Sequence, residues 1–313
     1  MDFHIQENTP TRETLTQIAQ IWNANATARH AFYPWTSDLL LPLLTDADGS
    51  PVGHLFTAHH TPSNEMIGFI HHSLMREDGY PRAGVVEAIM VDAPYRRSGV
   101  GTALLAAAVG RMERSRPRPM LIDALGAWPF GYAFNTLADG SERSGVFLSE
   151  PAVYRLFRAA GFDPARRSTV MRADIRAAEH RPVPEGCGFY IGRRTERTWL
   201  DRVFRGRVLH DHDLVRGADR RVMSRSIFGL MDGESRREGQ VVFSLFGVNT
   251  PFDMQRKGYA GINLAHLMEH VKDLGGETLE LHVYADNDPA LALYRSLGFA
   301  PVAETVMMHR RLS

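Results

Sequence analysis

The feature that most limits what this chain can fold into is a stretch that occurs twice. The first copy is Val91-Asp92-Ala93-Pro94-Tyr95-Arg96-Arg97-Ser98-Gly99-Val100-Gly101, preceded by the run Val85-Val86-Glu87-Ala88-Ile89-Met90. The run reads as a buried strand, and Val100 to Met112 reads as a helix. Glycines at such a strand-to-helix turn let the backbone bend sharply and face a ligand with bare N–H groups. With the positive end of the helix dipole, those groups make an anion site. The second copy is Gln255-Arg256-Lys257-Gly258-Tyr259-Ala260, after a strand predicted over Gln240 to Val248. A helix striped by Leu264, Leu267, Val271 and Leu274 follows it. The chain is therefore expected to run through one structural plan twice.

The flanking periodicities agree. The first half reads as a strand at His4 to Gln6 and a helix capped at Thr11 that carries Leu15, Ile18, Ala19 and Trp22 on one face. A shorter helix is capped by Ser37 or Asp38, and strands follow over His54 to His60 and Met66 to Leu74. Asp78-Gly79 predicts the next hairpin turn. After the loop and its helix come a strand at Met120 to Leu125, an aromatic insertion (Trp128, Phe130, Tyr132, Phe134), and a helix over Glu150 to Ala160 stopped by Gly161. Ser168 to Ile175 is expected to close this half. The second half reads as a strand at Phe189 to Arg193 and a helix over Thr195 to Val208 bearing Trp199, Val203 and Phe204. Strands at Val222 to Met231, turned by Asp232-Gly233, and at Thr278 to Tyr284 complete it. The expected domains are 1–176 and a shorter 188–313, joined by a proline-containing linker over 177–187.

Composition narrows the function. The 313 residues carry no formal net charge, which excludes broad attraction to nucleic acid or anionic membrane. Lys257 and Lys272 are the only lysines, so a lysine in the second loop says more than any single arginine. Cys187 is the only cysteine, which rules out an intramolecular disulfide and suits a reducing cytosol. The N-terminus does not read as a signal peptide, and the longest apolar run, near Ala103 to Val109, is too short to span a bilayer. A cytoplasmic location is expected. His59-His60 and His71-His72 are adjacent strand residues and poor chelates, and His210 with His212 lacks a third ligand at a recognisable spacing. No metal is expected, and His210 and His212 read as solvated loop residues. Gly99-Val100-Gly101 with Asp123 hints at a dinucleotide site, but Leu104 stands where the third glycine belongs.

Arg-x-x-Gly-x-Gly after a strand ending Val-Asp-x-x-Tyr resembles the acyl-CoA loop of the GNAT superfamily of N-acetyltransferases. Asn287-Asp288-Pro289-Ala290-Leu291-Ala292-Leu293-Tyr294-Arg295-Ser296-Leu297-Gly298-Phe299 is similar to that family's Asn-x-x-Ala-x-x-Leu-Tyr-x-x-Leu-Gly-Phe pattern at every defined position. The resemblance covers nearly the whole chain and implies two tandem GNAT folds of the α/β class, each a mixed, mostly antiparallel sheet flanked by helices. It implies that Val91, Arg96, Arg97, Ser98, Gly99, Val100 and Gly101 line one acyl-CoA site. Val248, Gln255, Arg256, Lys257, Gly258, Tyr259, Ala260 and Asn287 would line the other. It also implies Tyr294 as the acid that protonates the departing sulfur and Glu87 as a general base. Their plain alternatives are a tyrosine packed against its strand and a surface-facing glutamate. Matching Gly161-Phe162 to Gly298-Phe299 puts Phe157 opposite Tyr294, while Ser244 falls near the place of Glu87. The second loop is read with two extra residues between Val248 and Gln255. The implied reaction moves acetyl from acetyl-CoA, or another acyl-CoA, to the amine of a small molecule or peptide. The protein would act as a monomer or homodimer. The alternative is an acyl-CoA-binding or sensing protein without turnover.

Overall fold

Leu15, Ile18, Ala19 and Trp22 recur at helical spacing, and helix α1 (Arg12–Asn25) buries all four. Thr11 Oγ1 caps its start, accepting from the Thr14 N–H at 3.2 Å. Helix α2 (Ser37–Leu44) begins one residue earlier than expected, because the Thr36 hydroxyl takes the cap from the Leu39 N–H at 3.2 Å. The computed structural model describes residues 1–25, 35–45, 48–75, 82–126, 145–177, 180–194, 208–231, 235 and 238–312. The aromatic insertion (Trp128, Phe130, Tyr132, Phe134), the Asp78-Gly79 and Asp232-Gly233 turns, and the helix bearing Trp199, Val203 and Phe204 lie outside the described residues.

The remaining helices are α3 (Val100–Glu113), α4 (Pro151–Ala159), α5 (Tyr259–Asp273) and α6 (Asp288–Ser296). The strands are β1 (Phe3–Asn8), β2 (His54–His60), β3 (Met66–Met75), β4 (Ala83–Val91), β5 (Leu121–Ala124), β6 (Val146–Phe147) and β7 (Asp163–Asp174). They continue with β8 (Cys187–Arg193), β9 (Leu209–Arg216), β10 (Arg221–Leu230), β11 (Val242–Asn249), β12 (Thr278–Tyr284) and β13 (Ala300–Arg311). No described helix is long and apolar enough to cross a membrane.

The chain divides into two compact units that do not follow its halves. Among the described residues, unit 1 holds those through Arg166 together with those from Thr305 onward, and unit 2 holds those of Arg167–Glu304. In unit 1, β1 to β5 pair in sequence order, and the free side of β5 takes the last strand, His309 opposite Asp123 and Arg311 opposite Leu121. In unit 2 the order is β7-β12-β11-β10-β9-β8. The strand expected to close the first half, Ser168 to Ile175, therefore closes the second. It pairs Ser168 with Tyr284 and Asp174 with Thr278. Alternation identifies a strand but not the edge it joins, because side-chain period is a local property and pairing is not.

Each unit's strands pack against the helices their apolar residues select. In unit 1, Ile67, Ile70 and Val86 pack with Leu104, Leu105 and Ala108 of α3. Met66, Phe69 and Ala88, from the same strands, pack with α1 and α2 on the other face. In unit 2, Leu264, Leu267, Met268 and Val271 of α5 cover Phe228, Phe243, Leu245, Leu279 and Leu281. The segment around His210 and His212 is a strand rather than a solvated loop. Its buried residues are Leu209, His212, Asp213 and Leu214, and His212 Nδ1 stands 2.9 Å from Asn263 Oδ1 on α5.

Candidate active site

The two glycine loops have one conformation. Arg97 has φ +63° and Arg256 φ +60°; Gly99 has φ +92° and Gly258 φ +82°. The residues before them agree as well, Arg96 at φ −67°, ψ 155° and Gln255 at φ −67°, ψ 158°. Left-handed backbone is inexpensive only for glycine, so Gly99 and Gly258 are the residues on which each turn depends. Neither helix has a side-chain N-cap. Ala103 N–H is the first to find a carbonyl in α3, that of Gly99, and Ile262 N–H is the first in α5, bonding Gly258. The N–H groups of Val100, Gly101 and Thr102, and of Tyr259, Ala260 and Gly261, thus have no hydrogen-bond partner among the described residues. Three bare donors at the positive end of a helix dipole form a cradle for a phosphate oxygen.

The arginine and glutamine ahead of the glycines brace the loops. Arg96 Nε donates to the Val91 carbonyl at 2.9 Å, and Gln255 Nε2 donates to the Thr250 carbonyl at 3.1 Å. Each bond spans five residues, so Thr250 is the counterpart of Val91. The loops are equal in length, and the two extra residues expected after Val248 belong to the strand end. Val91 and Val248 pack beneath the helices that follow. In unit 1 the brace reaches α1: Asn25 Oδ1 accepts from Arg96 Nη2 at 3.0 Å and from the Ala93 N–H at 2.8 Å, while its amide donates to Asp92 at 2.7 Å. The Ser98 hydroxyl donates to the Tyr95 carbonyl. Arg97, Arg256 and Lys257 are exposed and make no hydrogen bond or ion pair among the described residues, leaving their charge for a ligand. In unit 2, Arg181 adds a cation that sequence reading placed in a linker. Its guanidinium lies against Gly261 in the first turn of α5, where a side chain would have to displace it.

Beside each loop two parallel strands part. β4 pairs with β5 only from Ala83 to Val86, and β11 pairs with β12 only from Val242 to Leu245. A bulge accompanies each separation. β4 carries one extra residue, Glu87, against β3, and β11 carries one against β10 near Gly247 and Val248. The bulge turns Glu87 inward. Its carboxyl is buried and accepts from the Ser73 hydroxyl at 2.6 Å. Burial pushes its pKa up to about 7, and the charge of Asp123 adds to the rise. Asp123 is itself fully buried, with His309 Nε2 3.1 Å from its carboxylate. The counterpart of Glu87, counted from the loops, is Phe246 rather than Ser244. Ser244 lies opposite Glu280 as Val85 lies opposite Asp123, and Glu280 accepts from Arg172 Nε at 2.6 Å.

The second motif folds as a short helix. Asn287 caps α6 by accepting from the Ala290 N–H at 3.3 Å, and Gly298 ends it at φ +85°. Tyr294 is buried against Phe299, their rings 5.7 Å apart, in the core of unit 2. Phe157 holds the matching place in α4, with Phe162 as its edge-on neighbour at 5.1 Å. Glu87 and Tyr294 thus stand in different units. Sequence reading missed Asn25, Arg181 and His309, which lie far along the chain from the motifs they support, and weighed Asp123 only for a dinucleotide site. For Asp123, a lone acid in an apolar strand was the available signal.

Comparison with known proteins fits this geometry. The model of the "Acetyltransferase (GNAT) family" matches residues 15–120 and 236–299, which hold both loops. Mycothiol acetyltransferase from Clavibacter sepedonicus is 26% identical over 290 residues, covering 86% of this chain and 84% of that protein. The ribosomal protein bS18-alanine N-acetyltransferase of Salmonella typhimurium is 43% identical over 56 residues, 18% of this chain and 38% of its own length. Among solved structures, a tandem GNAT protein from the clavulanic acid biosynthesis pathway aligns with a TM-score of 0.67 at 14% identity. The alignment covers 99% of this chain and 98% of that one. With the family model spanning more than half its length and the fold of both units in agreement, the chain belongs to the GNAT family of acetyltransferases.

Proposed function

We propose that the protein transfers an acetyl group from acetyl-CoA to a primary amine of a small molecule or peptide by direct attack. The observation that carries this reading is the repeated cradle: three unbonded N–H groups after a left-handed glycine, beside two strands that part. The cradle fits a pyrophosphate, and the parted strands offer backbone donors and acceptors to an amide-bearing pantetheine arm. Attack by nitrogen on the thioester carbonyl forms the C–N bond. Collapse then breaks the C–S bond, the amine's proton passes to a base, and the sulfur takes a proton from an acid. Tyr294 is the acid in unit 2. Glu87, poised near neutrality, is the base available in unit 1. Phe157 cannot donate a proton, which favours unit 1 as a binding or sensing unit and unit 2 as the one that turns over.

Calorimetry with CoA and an amine panel tests the reading. The wild type is expected to bind two equivalents, with Gly99→Glu and Gly258→Glu each losing one. Tyr294→Phe should lower turnover by about 10²–10⁴-fold with CoA affinity nearly intact. Two unaltered glycine variants would refute the cradles. Two intact sites with no transfer to any amine would leave an acyl-CoA sensor.

A further inference from the structure

Unit 2 brings together three metal-ligating side chains outside the site just described. His266 and Glu269 stand one turn apart on α5, and His180 precedes Arg181 in the segment that runs along the same helix. One ligand atom from each lies within 4.8 Å of the other two. His266 Nε2 is 2.8 Å from the Arg181 carbonyl oxygen. A carbonyl only accepts, so Nε2 carries the hydrogen, and this fixes what the other ring nitrogen is. That nitrogen, Nδ1, faces Glu269 Oε2 at 3.3 Å. In a neutral ring it would set a lone pair against a carboxylate, an arrangement that calls for a cation between them. On the other carboxylate oxygen, His180 Nδ1 stands 2.8 Å from Oε1. Phe189 lies against the His266 ring at 4.4 Å and holds its plane. His212, also on the α5 side of its sheet, is committed to Asn263 and is not part of the group.

We propose that His180, His266 and Glu269 form a binding site for a divalent transition-metal ion, with zinc the best match. Two imidazole nitrogens and one carboxylate suit zinc better than magnesium or calcium, which prefer all-oxygen shells. Ligands about 2.0–2.1 Å from a tetrahedral zinc stand roughly 3.3 Å from one another, close to the two spacings seen. His180 is the most exposed of the three and is free to close the remaining edge. The second-sphere bond from His266 Nε2–H to a backbone carbonyl is of the kind that orients metal-bound histidines. Glu269 is ten residues beyond the start of α5, about 15 Å along the helix axis from the anion cradle. The ion would therefore act structurally, pinning the segment that delivers Arg181 to the helix that carries the second loop.

The test is zinc titration of the tag-free, chelator-dialysed full chain, read by calorimetry and thermal shift. The expected result is one equivalent bound with submicromolar affinity and a raised melting midpoint. His180→Ala and Glu269→Gln should each weaken binding at least tenfold, and His60→Ala, a half-buried imidazole in unit 1, should leave it unchanged. Equal binding by His180→Ala and the wild type would overturn the assignment. So would an absence of zinc binding by the wild type.

Discussion

At the scale of single residues, Glu87 yields the sharpest prediction. Its carboxyl titrates near 7 in the fold against about 4.5 when unfolded, so between those values the native state holds a proton that the unfolded chain releases. Stability should fall as pH rises through that window and stay reduced above it. Glu87→Gln has no charge to bury. It should melt with the wild type near pH 4.5 and above it at pH 8, by on the order of 3 kcal/mol. A gap that does not change with pH would mean that Glu87 is not held protonated. The burial of this residue was only half legible in the sequence. An acid in an apolar run must find a partner or a shifted pKa, and it found both, Ser73 and the shift. The bulge that turns it inward was not legible, because one extra strand residue leaves no mark in composition. The two glycines were fully legible, since their order after a strand admits few other uses.

At the scale of elements, the loops differ in what supports them. Asn25 ties the first loop to α1 through three hydrogen bonds, whereas Gln255 braces the second within itself. Asn25→Ala should cost about 1–2 kcal/mol, since it removes three hydrogen bonds while Asp92 still accepts from the Ala93 N–H. It should weaken CoA at the first cradle about tenfold while the second is unchanged, a split that calorimetry resolves. Loss at both cradles or at neither would show that the brace does not set loop geometry. Most elements follow from periodicity, from α1 to the stripe on α5. Strand β9 escaped because His210, Asp211, His212 and Asp213 look solvent-facing. Asn263 satisfies one imidazole and Arg225 one carboxylate, at 2.9 Å and 2.7 Å, which lets polar side chains be buried.

At the scale of the molecule, the repeat was legible and its wiring was not. Each unit closes its sheet with a strand from the other half of the chain. A cut in the expected linker therefore does not separate two complete folds. A chain ending at Glu304 should lose the partner of β5, leave Asp123 without His309, and melt unit 1 at a lower temperature. CoA binding that depends on Gly258 should survive, and thermal scans with and without CoA would show both effects. An unchanged unit 1 would demote the last strand to an accessory. The same wiring bears on how the protein is made. Most of unit 1 leaves the ribosome early, but the strand that borders β5 follows much later. All of Arg167–Glu304 comes between. At about 5–20 residues per second, the β5 edge stays open for on the order of ten seconds. Ribosomes queued on one message would carry identical open edges side by side, each able to accept a neighbour's strand in place of its own.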